Sequence, residues 1–374
     1  MANLSLFRTP KEFRIDGISY PGIPVIVDDD TMRIQYVPTE FMIYNAVVRG
    51  KSRSPKTWKD QGNIILPFLQ YMEERGFDWR QPTEERLAHY RNSLELRRLG
   101  RPRISRIMGF IIAFYEWAHR KGHITALPLT YEETPRPAGG LLAHLGPTKN
   151  TSKSILVPKI RKNRDHPRFY NKQEQGRILS ALTNDRDQLI VQWALLTGAR
   201  EFEICNLVLD DIPPQTAYQS RRNYPIRIIG KGNKPGDLRV PTWLLDNTYR
   251  YAKLFGRRII ARDAAKRGRT VPPNIFLARW GTGLKPDSVY RVVDKAIKTA
   301  GLKGSFHDFR HTYAICTLDA LMNLPRHEGS NGKNALLELK IRMRHESLET
   351  TDDYLKARDF YKGDIDSDVW MMDE

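Results

Sequence analysis

The spacing of apolar residues divides the chain into segments of different character. Between residues 13 and 37, short apolar runs (Phe13, Ile15, Ile18 and Tyr20; Ile23 to Val27; Met32, Ile34 and Tyr36) are punctuated by Gly17, Pro21-Gly22 and Asp28-Asp29-Asp30, which predicts paired strands. From Pro38 to about Leu127 the period becomes helical. Ile64, Ile65, Phe68, Leu69 and Met72 keep one face, as do Ile107, Phe110, Ile111, Phe114, Tyr115 and Ala118, with Gly76, Gly100 and Gly122 at expected helix stops. Residues 128–168 lose all periodicity around Pro128, Pro135, Pro137, Gly139-Gly140, Pro147, Pro158 and Pro167, and read as a structureless linker. Asn171 followed by Glu174 is a capping-box start for a second domain. There, residues 225–241 read as a hairpin turning at Gly230 to Gly236, and helices are expected at about 242–267, 286–300, 307–322, 334–343 and 347–360.

The fold class expected is mainly α with a small β component. The layout is a two-domain clamp: a helical core DNA-binding domain at 38–127 and an α-helical catalytic domain with a small antiparallel sheet at 169–363. An extended segment, 1–37, precedes them, a basic linker, 128–168, joins them, and an acidic tail, 364–374, follows. At 374 residues, two cores are affordable.

Charge narrows the partner. Sixty-one Lys and Arg stand against 43 Asp and Glu, a formal charge of +18, which favours a polyanion and nucleic acid first. Ten per cent aromatics, seven Trp among them, are too many for a disordered polycation. Two cysteines, Cys205 and Cys316, exclude a disulfide scaffold and a four-cysteine zinc site. No run approaches the roughly 18 apolar residues of a membrane span, and the first residues do not read as a leader. A cytoplasmic, nucleic-acid-associated protein without membrane contact is expected. Basic residues without interleaved acids mark candidate phosphate contacts: Lys51, Arg53 and Lys56, then Arg101, Arg103 and Arg106, and in the linker Lys159, Arg161 and Lys162.

Four segments of the second domain hold candidate chemistry. They are Arg200 with Glu203, Lys231 at the hairpin tip, His307 and Arg310 on one helix face, and His345 nine residues before Tyr354. Each has an ordinary reading taken alone: a capping arginine, a solvated lysine, a core histidine, a packing tyrosine. Together they suit phosphoryl transfer through a covalent tyrosine. Two guanidiniums can neutralise non-bridging phosphate oxygens, a phenol can attack phosphorus, and His and Lys can move the protons. The set calls for no metal or other cofactor.

These ordered segments resemble the tyrosine recombinase (phage integrase) family. Leu196-Thr197-Gly198-Ala199-Arg200 with Glu203-Ile204 is similar to its first arginine box, and Ile229 to Lys234 with Arg239-Val240-Pro241 to its hairpin lysine segment. His307 to Ala314 is similar to its H-x-x-R box, and His345-Glu346-Ser347 with Thr350-Thr351 and Tyr354 to its terminal box. Arg342-Met343-Arg344 stands before His345, where the family usually has Leu-Gly, and 322–333 reads as an inserted loop. The resemblance covers about residues 170–360.

The resemblance implies roles. Arg200 and Arg310 would grip the scissile phosphate, with a further hydrogen bond from His345. His307 would be general base, Lys231 general acid and Tyr354 the nucleophile of a 3′-phosphotyrosine intermediate, with Glu203 supporting from behind. It further implies a homo-tetramer on double-stranded DNA with paired recombination sites, a possible accessory directionality protein, and service to a mobile element by integration, excision or transposition, in a prokaryotic nucleoid. A catalytically inactive DNA-binding relative and a type IB topoisomerase are the alternatives. Tyr361 is a second tyrosine near the expected place, without the family spacing.

Overall fold

The computed structural model describes residues 3–50, 54–127, 129–136, 149–158, 166–230, 232–323, 334–345 and 349–365. The chain divides into two compact units, Met1–Asn163 and Arg164–Glu374.

In the first unit, strands β1 (Leu4–Arg8), β4 (Pro24–Asp28) and β5 (Arg33–Ile34) form an antiparallel sheet in the order β1-β4-β5, with Leu6 opposite Ile26. β2 (Arg14–Ile15) and β3 (Ile18–Ser19) make a separate small pair. The helices are α1 (Tyr36–Ile43), prolonged by a π turn at Tyr44–Val48, then α2 (Pro55–Glu74), α3 (Glu84–Leu96) and α4 (Arg101–Arg120). Their apolar faces meet around Phe41, Phe68, Phe114, Tyr115 and Trp117, all essentially sealed from solvent. Burial of such rings, at about 25 cal/mol per Å² of apolar surface, is the main force holding the unit together. Gly76 and Gly122 follow helix ends, whereas Gly100 is the N-cap of α4.

Residues 131–136 and 149–154 differ from the structureless linker expected there. β6 (Tyr131–Arg136) pairs antiparallel with β7 (Lys149–Ser154), Tyr131 opposite Ser154. Thr130 donates its backbone N–H to Glu84 at 2.9 Å, the Tyr131 hydroxyl reaches Glu116 at 2.7 Å, and Leu156 and Val157 enter the first unit's core. The ladder rests on backbone bonds between polar strands, so no apolar alternation announces it.

The second unit begins with α5 (Lys172–Ser180), opened by the Asn171–Glu174 capping box. α6 (Asp185–Thr197) and the short α7 (Glu201–Cys205) follow, then the hairpin of β8 (Asn223–Ile229) and β9 (Pro235–Pro241). The single helix expected over 242–267 is two, α8 (Thr242–Tyr249) and α9 (Gly256–Lys266), separated by a π turn at Arg250–Leu254 and by Phe255 in a non-helical conformation. α10 (Pro286–Thr299), α11 (His307–Asn323), α12 (Ala335–Met343) and α13 (Glu349–Phe360) complete it. One core surrounds Trp193, Phe276 and Phe309, and a smaller one joins α11, α12 and α13 around Ile315, Leu318, Leu339, Met343 and Ala357. Among the described residues, no helix is long and apolar enough to cross a membrane.

Candidate active site

The site is assembled where α6, α11 and α12 end or begin. α6 stops at Gly198, whose φ of +64° favours glycine and whose missing Cβ makes room for the Tyr313 ring. That reversal sets Arg200 as the first cap of α7. Its backbone N–H donates to Glu203 Oε2 at 2.8 Å, and its guanidinium donates to Oε1 at 2.9 Å. Glu203 is fully buried, and its Oε2 also accepts from Arg344 at 2.7 Å. One carboxylate therefore orients two arginines.

Arg310, in the first turn of α11, is 2% exposed. It donates to the carbonyls of Gly198 and Met343, so the same side chain ties the end of α6 to the end of α12. Burial, then the nearby Arg200 and Arg344 charges, push its pKa down. A guanidinium stays protonated in proteins, so the depression marks a charge held against desolvation and repulsion, conditions that an arriving anion relieves.

Tyr354 on α13 is 4% exposed. Its hydroxyl lies 2.8 Å from His311 Nδ1, and its ring stacks on His345 with centroids 5.9 Å apart. Burial pushes the phenol up to about 12, while Arg310 and Arg200 pull the other way. His345 Nδ1 sits 3.2 Å from Thr351 Oγ1. Burial first, then Arg310 and Arg200, bring His345 down to about 4. Burial, followed by His307 and Arg310, brings His311 down to about 3. His307 meets the His311 ring edge-on at 4.6 Å, and burial, then Arg310, lowers its pKa as well. All three imidazoles are neutral near pH 7 and able to accept a proton. A phenol, neutral imidazoles and two guanidiniums in one enclosure have the ingredients of metal-free phosphoryl transfer.

Behind the phenol, α13 is pinned to α11 by a buried ion pair. Arg358 Nε donates to Asp319 Oδ1 at 2.8 Å, with both side chains at or below 10% exposure. Arg358 follows Tyr354 by one helical turn, so the pair fixes the segment that presents the hydroxyl.

Arg200, Glu203, His307, Arg310, His345 and Tyr354 thus share one site. Lys231 lies outside the described residues, although Gly230 and Lys234 close the hairpin beside it through a 2.7 Å backbone bond. Tyr361 packs its ring on Phe169 and Phe360 instead. His311, Arg344 and the Asp319–Arg358 pair were not singled out from the sequence. His311 had a signal, lying four residues after His307 on the same helix face. Of the candidate DNA contacts in the first unit, Lys56, Arg101, Arg103 and Arg106 are exposed, Arg106 in a 3.4 Å pair with Asp60. Arg101 and Arg103 crowd the first turn of α4, where the helix dipole disfavours cations and no acid compensates. Lys51, Arg53, Lys159, Arg161 and Lys162 lie outside the described residues, as do 366–374 of the tail.

No family model matches the chain. Over 261 residues it is 27% identical to a tyrosine recombinase XerC of Corynebacterium glutamicum, covering 68% of this chain and 67% of that protein. Over 205 residues it is 26% identical to a tyrosine recombinase XerA of Pyrococcus furiosus, covering 54% of this chain and 60% of that one. The XerH site-specific recombinase, solved bound to a palindromic difH substrate, superposes with a TM-score of 0.52 at 16% identity, over 87% of this chain and 82% of that chain. A lambda integrase dimer bound to a COC′ core site superposes with a TM-score of 0.54 at 14% identity, over 83% and 92%. In sequence the chain is thus similar to tyrosine recombinases, and it shares its fold with XerH and lambda integrase.

Proposed function

We propose that the chain is a site-specific DNA recombinase that cuts and rejoins strands through a 3′-phosphotyrosine. The observation that carries this reading is the buried Tyr354 hydroxyl, bonded at 2.8 Å to a neutral histidine in an enclosure shared with two arginines. Arg200 and Arg310 grip the non-bridging oxygens of the scissile phosphate, and His345 adds a hydrogen bond. Tyr354 Oη attacks phosphorus, the phenol proton passes to His307, and the bond to the 5′-oxygen breaks as Lys231 protonates it. His311 orients the phenol beforehand. In the second half a 5′-hydroxyl from another strand attacks the phosphotyrosine and releases the tyrosine. Lys56, Arg101, Arg103 and Arg106, with Lys51, Arg53, Lys159, Arg161 and Lys162, supply sequence-independent contacts to the DNA backbone. On this reading the active form is a homo-tetramer joining two sites, acting for a mobile element and answering to an accessory directionality protein.

A duplex nicked near the cleavage point tests the reading, because it traps the covalent adduct. The intact chain forms the adduct even in excess EDTA. Tyr354→Phe abolishes it and leaves binding nearly unchanged, and Tyr361→Phe retains it. An adduct that survives Tyr354→Phe assigns the wrong nucleophile. Relaxation of supercoiled DNA by a monomer, without pairing of two sites, would favour the topoisomerase-like alternative.

A further inference from the structure

Arg344 occupies a position that is costly for an arginine. It caps α12 with φ of +54°, a left-handed backbone that suits glycine. Its side chain is 14% exposed, burial lowers its pKa, and its Nε is buried without a hydrogen-bond partner among the described residues. Two costs at one residue call for an offsetting role. The side chain supplies one. Its guanidinium binds Glu203 at 2.7 Å, and its stem crosses the hairpin at Gly236, where an added Cβ would stand 2.6 Å from Arg344 Cδ. At the other side of the hairpin tip, an added Cβ on Gly230 would stand 3.3 Å from Glu203 Oε1. The two glycines flanking the tip are therefore the places where the Glu203 carboxylate and the Arg344 stem press against the hairpin.

We propose that Arg344 is a positioning residue that locks the Glu203 carboxylate, and through it Arg200, in register with the β8–β9 hairpin. The proposal rests on the strand-transfer reading above. Arg344 sits directly before His345, so one short segment places the histidine against Tyr354 and braces the arginine that grips the phosphate. Loss of the strap leaves Glu203 Oε2 with the Arg200 backbone N–H alone and lets the Arg200 guanidinium drift, a displacement of the kind that lowers rate without lowering affinity.

The test uses the full chain, a nicked duplex and thermal unfolding. Arg344→Gly removes the strap and suits the left-handed backbone, so the melting temperature holds or rises. Adduct formation in a single turnover should nevertheless slow about tenfold, with duplex affinity within about twofold. An arginine that served only the fold would lower rate and melting temperature together. The second arm is independent of activity. Gly236→Ala lowers the melting temperature in the Arg344 chain, because the methyl meets the strapped stem. In the Arg344→Gly background it is neutral or stabilising, as alanine replaces glycine in a strand. Wild-type rates for Arg344→Gly, a joint fall in its rate and melting temperature, or equal Gly236→Ala effects in both backgrounds overturn the proposal. If the intact chain forms no adduct, the recombinase reading fails, and the strap stands or falls on the Gly236 arm.

Discussion

The two units treat charge in opposite ways. Among the described residues of the first, the buried polar side chains are Thr9, Thr39, Asn45 and Ser154, and every charged group reaches solvent. The second unit buries Asp187, Glu203, Arg257, Arg310, Asp319 and Arg358. A buried charge is costly unless paired or bonded, and here each has a partner: Glu203 with Arg200 and Arg344, Asp319 with Arg358, Arg257 on the carbonyls of Asn274 and Pro272. A unit whose charges stay solvated can bind a polyanion without reorganising its core. A unit that encloses them gains fixed geometry, which bond-making chemistry requires.

That contrast can be broken at its strongest point. Asp319→Ala removes the buried partner of Arg358 and leaves it only the exposed Asp359 at 2.9 Å, and should destabilise the second unit by up to about 3–5 kcal/mol. Loosened α13 should show first as faster amide exchange from 349 to 360. Asp60→Ala, which removes the partner of exposed Arg106, should cost no more than about 1 kcal/mol. Equal effects in the two units would dissolve the distinction.

A smaller effect comes from acid. Burial holds His345 at about 4 and His311 at about 3, both below the ordinary 6.5 of an unfolded histidine. Between about pH 6.5 and 4 the unfolded chain therefore takes up protons that the folded site refuses, and stability falls as pH falls. Amide exchange in α11 and α13 should quicken across this window, and His311→Asn should flatten the dependence. A pH-independent profile would place these imidazoles in water.

The smallest effects belong to the first unit. Alanine at Arg101, Arg103 or Arg106 should weaken DNA binding alike on every sequence and lower the salt slope by about one per residue. Single-turnover cleavage at saturating DNA should keep its rate. A change in base preference instead would make one of these arginines a reader of sequence.

The same difference in burial explains what could be read in advance. The Asn171–Glu174 cap, the β8–β9 hairpin and the limits of α10 to α13 follow from local chemistry, and they lie within a residue or two of expectation. The β6–β7 pair does not, because polar strands held by backbone bonds carry no apolar alternation. The Phe255 break in the helix expected over 242–267 is a conformation that periodicity does not register. At the site, the arginines, histidines and tyrosine were legible from their types and order. Their couplings were not. Asp319 and Arg358 are 39 residues apart in sequence, and the Arg344–Glu203 contact spans 141.

Two guanidiniums on one carboxylate, with a third held on backbone carbonyls, also bear on how this protein would search for its target. Arg200, Arg310 and Arg344 leave surplus positive charge that any phosphodiester can relieve, whatever bases it joins. On the recombinase reading, the reacting centre is therefore blind to sequence. On that reading it would hold random DNA as readily as a true site, and those visits would be sensitive to salt. The decision to cut would then come from contacts to base edges or from the DNA's deformability.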